Sequence, residues 1–230
     1  DRTGIKPGVL GWKDGKYGVA SEEIAFRNNG GELIEDLDPG AVYYLTPKGD
    51  YRKEQVIKPN IKNCFFEWNY IGHFDSIINT ISVRKLRETL GEILAEEFHP
   101  KANLVTYIPR CPEVAARSYA KKTNLPFIPI FFKIHSERSF LGSTVDDREK
   151  SIKNNMHLLP YMKKKLKGKT VIVLDDSTVR GNNSKHTRDI LYNEAKVKKA
   201  YLVNFTPPIG IIPDDNIPRG CEYGVDMPPT

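Results

Sequence analysis

One segment, VIVLDDSTVRGNNS from Val171 to Ser184, constrains this chain more than any other. Four consecutive apolar residues, Val171 to Leu174, fit a strand buried on both faces, as parallel strands covered by helices are. Two carboxylates, Asp175 and Asp176, follow at its carboxyl end, then a turn of small polar residues, then the start of a helix. In an open parallel sheet that is where ligands bind. Ser177, Thr178, Val179, Arg180, Gly181, Asn182, Asn183 and Ser184 form a loop whose backbone N–H groups, backed by the following helix dipole, can face one phosphate. The acids beside it can accept hydrogen bonds from sugar hydroxyls and attract Mg²⁺. A bare pair of acids would do no more than cap the next helix. Strand, acids and glycine-containing loop in this order point to a ligand with a phosphate, a diol and a metal-binding group.

The surrounding pattern supplies the sheet. Up to about residue 58 the chain reads as short alternating segments broken by turn signals such as KDGK, DPG and PKGD, a β-rich half-domain. Ser21 to Asn28 predicts a short helix capped by Ser21, with Glu22 and Glu23 in its first turn. A boundary is expected near Asn60. Beyond it, strands alternate with amphipathic runs: a helix over Ile81–Phe98 with Val83, Leu86, Leu90, Ile93 and Leu94 on one face, a strand in ANLVTYIP, a helix over Pro112–Lys122, and a strand in LPFIPIFF. A polar stretch from Lys133 to Lys153 shows no strand character. KTVIVLDD then reads as a strand, Ser184–Ala195 as a helix and KAYLVNFT as a last strand. The fold class is α/β, a central parallel sheet flanked by helices.

Composition narrows the setting. The 230 residues carry 35 Lys plus Arg against 29 Asp plus Glu, a formal net charge of +6, with 39% apolar residues, enough to build a core. The basic residues read as spread among acids rather than gathered in one block, so nucleic acid is not expected as a partner. No stretch approaches the ~20 apolar residues of a membrane span and no secretory apolar region opens the chain, so membrane and secreted settings are not expected. Cys64, Cys111 and Cys221 suit free thiols in a reducing, cytoplasmic setting rather than a disulfide framework. The five histidines show no metal-ligand spacing.

The Val171–Ser184 segment resembles the phosphoribosyl diphosphate (PRPP) binding motif of type I phosphoribosyltransferases, and its surroundings resemble the glutamine-dependent amidophosphoribosyltransferases of purine synthesis. CFFEWNYIGHFDS (Cys64–Ser76) is similar to that family's Cys, Phe, Glu block ending in Asp-Ser; RSFL (Arg138–Leu141) to its closing-loop RTFI; YGVDMP (Tyr223–Pro228) to its YGID segment; DRTGIKP and ASEEIAF to its D..GIRP and ASES.AL. The likeness runs from residue 1 to 230. It implies a phosphoribosyltransferase domain over residues 61–230, preceded over 1–60 by part of an N-terminal-nucleophile glutaminase. It further implies transfer of the phosphoribosyl group from PRPP to ammonia, giving phosphoribosylamine. Mapped by position, Asp175 and Asp176 hold the ribose hydroxyls and Mg²⁺, and Ser177 to Ser184 cradle the 5′-phosphate. Arg138 and Arg148 are candidates for closing over the pyrophosphate, and Arg110 and Cys111 belong to the pyrophosphate loop. Purine nucleotides as inhibitors and a homo-oligomer are also implied.

The chain departs from the pattern in places. It begins with Asp1, whereas the glutaminase uses an N-terminal cysteine, so glutamine hydrolysis is not expected of it alone. A fragment of a longer enzyme, a partner of a separate glutaminase and an ammonia-dependent relic stay open. The pyrophosphate loop usually carries an acid, Ser or Thr and a small residue after proline. Here it reads Pro109, Arg110, Cys111, Pro112, and Pro112 removes an N–H donor. That change keeps alternatives open: a PRPP- or nucleotide-binding regulator without efficient catalysis, or another PRPP-dependent transferase. Cys64 and Cys221 match two ligand positions of the iron–sulfur cluster found in some members, and two thiolates do not hold a cluster.

Overall fold

The computed structural model describes residues 1–134, 155–178, 181–206 and 220. The chain forms two compact units, Asp1–Arg87 and Glu88–Thr230.

In the first unit the turn at Asp14 and Gly15, both at positive φ, folds β1 (Val9–Lys13) back on β2 (Lys16–Ala20). After α1 (Ile24–Arg27), β3 (Glu32–Asp36) pairs with the other edge of β1, giving the order β2-β1-β3. β4 (Ala41–Leu45) and β5 (Tyr51–Gln55) form a separate antiparallel pair. The expected cap at Ser21 is not what starts α1: Glu23 stands at the N-cap position, with no side-chain cap bond. The two acids work at longer range instead. Glu22 Oε2 accepts from the His73 N–H and the Ser76 hydroxyl, and Glu23 Oε1 from the Ile77 N–H. They hold the segment leading into the short pair β6 (Ile77–Ile78) and β7 (Ile81–Ser82), which α2 (Val83–Glu97) follows. The buried Arg87 guanidinium donates to the carbonyls of Trp68 and Gly72, fixing the π-helical turn Glu67–Ile71.

The second unit is built on three parallel strands in the order β12 (Lys199–Asn204), β11 (Thr170–Asp175), β8 (Leu104–Tyr107). The central strand has no solvent-facing side. Val171 and Val173 pack with Leu166, Ile190 and Leu191 on one face, and Ile172 and Leu174 with Ala115, Tyr119 and Phe205 on the other. All four are fully buried, each worth roughly 1.5–3 kcal/mol against exposure. That two-sided burial is why the run is continuously apolar rather than alternating. The Ala115 face is covered by α2 and α3 (Glu113–Thr123). Gly91 lets the two helices approach, since a Cβ there would stand 2.2 Å from the Ala115 carbonyl oxygen.

The other face differs from expectation. LPFIPIFF is not one strand. Pro126 and Pro129 interrupt it, Phe127 makes a single parallel bridge to Val105, and only β9 (Phe131–Lys133) is regular. β9 pairs antiparallel with β10 (Met156–Leu158), which together with α4 (Met162–Leu166) escaped the sequence reading. The expected helix over Ser184–Ala195 begins earlier, as α5 (Asn182–Asp189), and continues as the π-helical turn Ile190–Glu194. In α2 the buried stripe runs through Val83, Arg87, Gly91 and Ala95, while Ile93 is exposed. Among the described residues, no helix is long and apolar enough to cross a membrane.

Candidate functional site

The alternation along β11 that sends Val171 and Val173 to one face places Asp175 on that face too, at the strand's carboxyl end. Asp175 and Asp176 are both buried. The Asp176 N–H donates to Asp175 Oδ1 at 2.9 Å, and the carbonyls of the two residues accept from the Phe205 and Thr206 N–H groups at 3.4 and 3.2 Å. The backbone is thus tied into the sheet up to the residue where the loop departs. On the neighbouring strand the Ile108 N–H donates to the Leu174 carbonyl at 2.9 Å, so the Pro109–Pro112 loop begins level with the acids.

Burial, and then the charge of Asp176 beside it, hold the Asp175 carboxyl well above the usual carboxylate range. Lys133, at the end of β9, opposes this. Its own ammonium is pushed down by burial and by the Arg110 charge and drawn up by Asp175 and Asp176. Two acids and two cations, from three separate loops and strands, therefore share one electrostatic environment.

The loop after the acids returns to the sheet through side chains. Asn204 Nδ2 donates to Thr178 Oγ1 at 2.7 Å, and Thr178 Oγ1 lies 3.5 Å from Ser184 Oγ in the first turn of α5. Gly181 adopts φ 72° at the N-cap of α5, a left-handed conformation suited to glycine, and its carbonyl accepts from the Lys185 N–H at 2.8 Å. Asn182, Asn183 and Ser184 occupy the first turn of α5, where N–H groups lack partners within the helix.

On the β8 side the Pro109–Arg110 peptide bond is cis, and Arg110 and Cys111 precede α3. The base of that loop is braced by Glu113, whose carboxylate accepts from the Tyr107 hydroxyl at 3.0 Å and from Arg117 at 2.7 and 3.0 Å. Arg117 lies over the Phe127 ring, on which Tyr107 stacks. Burial and then the Glu113 charge push the Tyr107 hydroxyl up to about 12.

Of the residues expected from sequence, the structure brings together Asp175, Asp176, Ser177, Thr178, Gly181, Asn182, Asn183 and Ser184 around the end of β11. It places the loop of Arg110 and Cys111 beside them. Val179, Arg180, Arg138, Arg148 and Cys221 lie outside the described residues, as do the RSFL and YGVDMP segments. Lys133 was missed: a single lysine ending an apolar run carries no sequence signal beyond its position. Asn204, Glu113 and Tyr107 were missed for the same reason. Among the described residues, no group of three or more His, Cys, Asp or Glu side chains is placed to hold a metal ion. The two buried carboxylates do fit Mg²⁺, a hard cation often held by one or two carboxylates with the rest of its shell from ligand phosphates and water.

No protein-family model matches the chain. Against individual proteins it is 31% identical over 229 residues to the amidophosphoribosyltransferase of Archaeoglobus fulgidus, covering 99% of this chain and 47% of that protein. It is 29% identical to the amidophosphoribosyltransferase of Bacillus subtilis, covering 98% and 45%. Two solved structures share the fold at 27% identity. The allosteric regulatory enzyme of purine biosynthesis superposes with a TM-score of 0.78 over 98% of this chain and 48% of its own. The Bacillus subtilis glutamine PRPP amidotransferase complexed with ADP and GMP superposes with a TM-score of 0.77 over 98% and 49%. The chain is thus similar to amidophosphoribosyltransferases along nearly all of its length and spans about half of theirs. The α/β fold expected from the sequence is theirs.

Proposed function

We propose that this chain carries the PRPP-handling half of an amidophosphoribosyltransferase and transfers the phosphoribosyl group from PRPP to ammonia. The observation that carries this reading is the pair of buried acids at the carboxyl end of the central parallel strand, followed by a loop that opens α5. In the reaction the bond from C1 to the pyrophosphate oxygen breaks, a bond from C1 to the ammonia nitrogen forms, and the nitrogen gives up a proton. Positive charge builds on the sugar as the leaving group departs, so orientation and charge placement supply most of the rate.

Asp175 and Asp176 accept hydrogen bonds from the ribose hydroxyls and would hold Mg²⁺, which when bound would supply positive charge against the departing pyrophosphate. Ser177 to Ser184 surround the 5′-phosphate, with Thr178 positioned by Asn204. Arg110 and Lys133 supply cationic charge on the pyrophosphate side, Arg110 standing in for the N–H donor that Pro112 lacks. Arg138 and Arg148 complete the pyrophosphate contacts from outside the described residues. Purine nucleotides compete at the same pocket, in line with the ADP and GMP held by the Bacillus subtilis relative. A cytoplasmic oligomer acting with a source of ammonia completes the reading.

Incubation of the chain with PRPP, Mg²⁺ and either ammonium or glutamine, with release of pyrophosphate measured, tests it. Release with ammonium supports transfer. Tight PRPP binding without release supports a second reading, favoured by the Arg110 and Pro112 substitutions, in which the chain senses PRPP without turning it over. Failure to bind PRPP overturns both.

A further inference from the structure

The basic excess of this chain, dispersed along the sequence, is gathered by the fold at one end of the parallel sheet. Five lysines lie between Lys163 and Lys169, in α4 and the turn into β11, and three between Lys196 and Lys199, in the turn into β12; all eight are exposed. Neither run contains an acid. The backbone joins them: the Gly168 N–H donates to the Lys196 carbonyl at 2.9 Å and the Lys198 N–H to the Lys169 carbonyl at 2.8 Å. Taking these eight lysines from the chain's 35 Lys plus Arg leaves 27, against 29 Asp plus Glu. One acid, Glu194, stands on this face, 3.1 Å from Lys163; counting it there leaves 27 against 28 elsewhere, so the whole positive balance still resides on this face.

We propose that this face docks an acidic segment of a polypeptide partner. Its cations are all lysines, compact point charges without the arginine fork that recognises phosphates and bases in a fixed geometry. The nearby Tyr161 and Tyr201 rings carry Lys165 and Lys199 over them, at 5.3 and 4.5 Å, and so offer poor platforms for nucleic-acid bases. Met162 and Leu166, the apolar residues of α4, are turned into the core, so α4 itself presents no apolar anchor to a lipid surface. What remains is a set of exposed ammonium groups matched to carboxylates, a contact that is steered over distance and screened by salt. The face lies at the start of β11 and the acid pair at its end, about 20 Å away along a six-residue strand. A partner held there leaves the ligand pocket open.

The test is fluorescence anisotropy of the full chain with a labelled 20-residue poly-L-glutamate at low and at physiological salt. Duplex DNA of matched charge and anionic vesicles run in parallel, with PRPP binding as a control. The expected result is binding of the peptide that weakens roughly tenfold between the two salt conditions. It weakens by a similar factor in Lys164→Glu/Lys165→Glu/Lys198→Glu, with PRPP affinity unchanged. Acetylation footprinting of the unaltered chain gives a second readout: Lys164, Lys165 and Lys198 are protected by the peptide. No peptide binding at low salt, binding that the triple variant retains together with unprotected lysines, or tighter binding of the DNA or the vesicles overturns the proposal.

Discussion

The amide of Asp176 donates to Oδ1 of Asp175 at 2.9 Å, so the two acids of the central strand are not equivalent: one is tied back by its successor and buried with it. Asp175 is held well above the usual carboxylate range, by burial first and by Asp176 second. A carboxyl raised in the folded chain binds its proton more tightly there than when unfolded. Stability therefore falls as pH rises from the ordinary carboxylate range through the raised value. Asp175→Asn removes that titration. Its melting temperature is expected above that of the unaltered chain at neutral pH, by ~2–4 °C for each kcal/mol relieved, with the gap closing toward about pH 3. Differential scanning calorimetry across pH checks this, and a gap independent of pH contradicts it.

Lys133 is the counter-charge that sequence did not reveal. Replacing it by Met leaves the acids without that cation and drives Asp175 higher still. PRPP affinity is expected to fall roughly tenfold or more, and the acid limb of its pH profile to move to higher pH. Lys133→Arg restores part of both. An unmoved acid limb in Lys133→Met, measured by titration calorimetry, counts against the pairing.

Asn204 meets Thr178 through a single side-chain bond of 2.7 Å. Asn204→Ala is expected to weaken PRPP binding roughly two- to tenfold, the range of one neutral hydrogen bond, while the melting temperature changes little. A lowered melting temperature with unchanged affinity would assign Asn204 to the scaffold instead.

Gly91 lies against the Ala115 carbonyl, whose oxygen would stand only 2.2 Å from a Cβ at this position. An alanine in mid-helix ordinarily gains about 0.5–1 kcal/mol over glycine. Here the sign reverses, because a backbone oxygen has to move: Gly91→Ala is expected to lose ~1–3 kcal/mol. Urea unfolding reads this directly, and a stabilised variant would contradict the packing.

What could be read from the sequence was what depends on one stretch of chain. The run Val171–Leu174 is apolar because both faces of its strand are covered, and Asp175 and Asp176 stand out because nothing else justifies two acids at that point. Elements made by distant pairing stayed hidden. β10 exists because Met156–Leu158 finds β9, and α4 is too short to show a helical period. Asn204 meets Asp175 only through the pairing of β12 with β11, and Lys133 comes near the acids only through the packing of the separate β9–β10 pair. The same limit hid the lysine face, whose two runs become neighbours through the pairing of β11 with β12 and the bonds between Gly168, Lys169, Lys196 and Lys198.

The most direct measurement is titration calorimetry of PRPP in the presence of Mg²⁺ with the unaltered chain and with Asp175→Asn/Asp176→Asn. Each charged hydrogen bond removed is worth on the order of 1.5–3 kcal/mol, so the double variant is expected to bind at least tenfold more weakly. Equal affinity in the two proteins would contradict the placement of the sugar phosphate at the end of this strand.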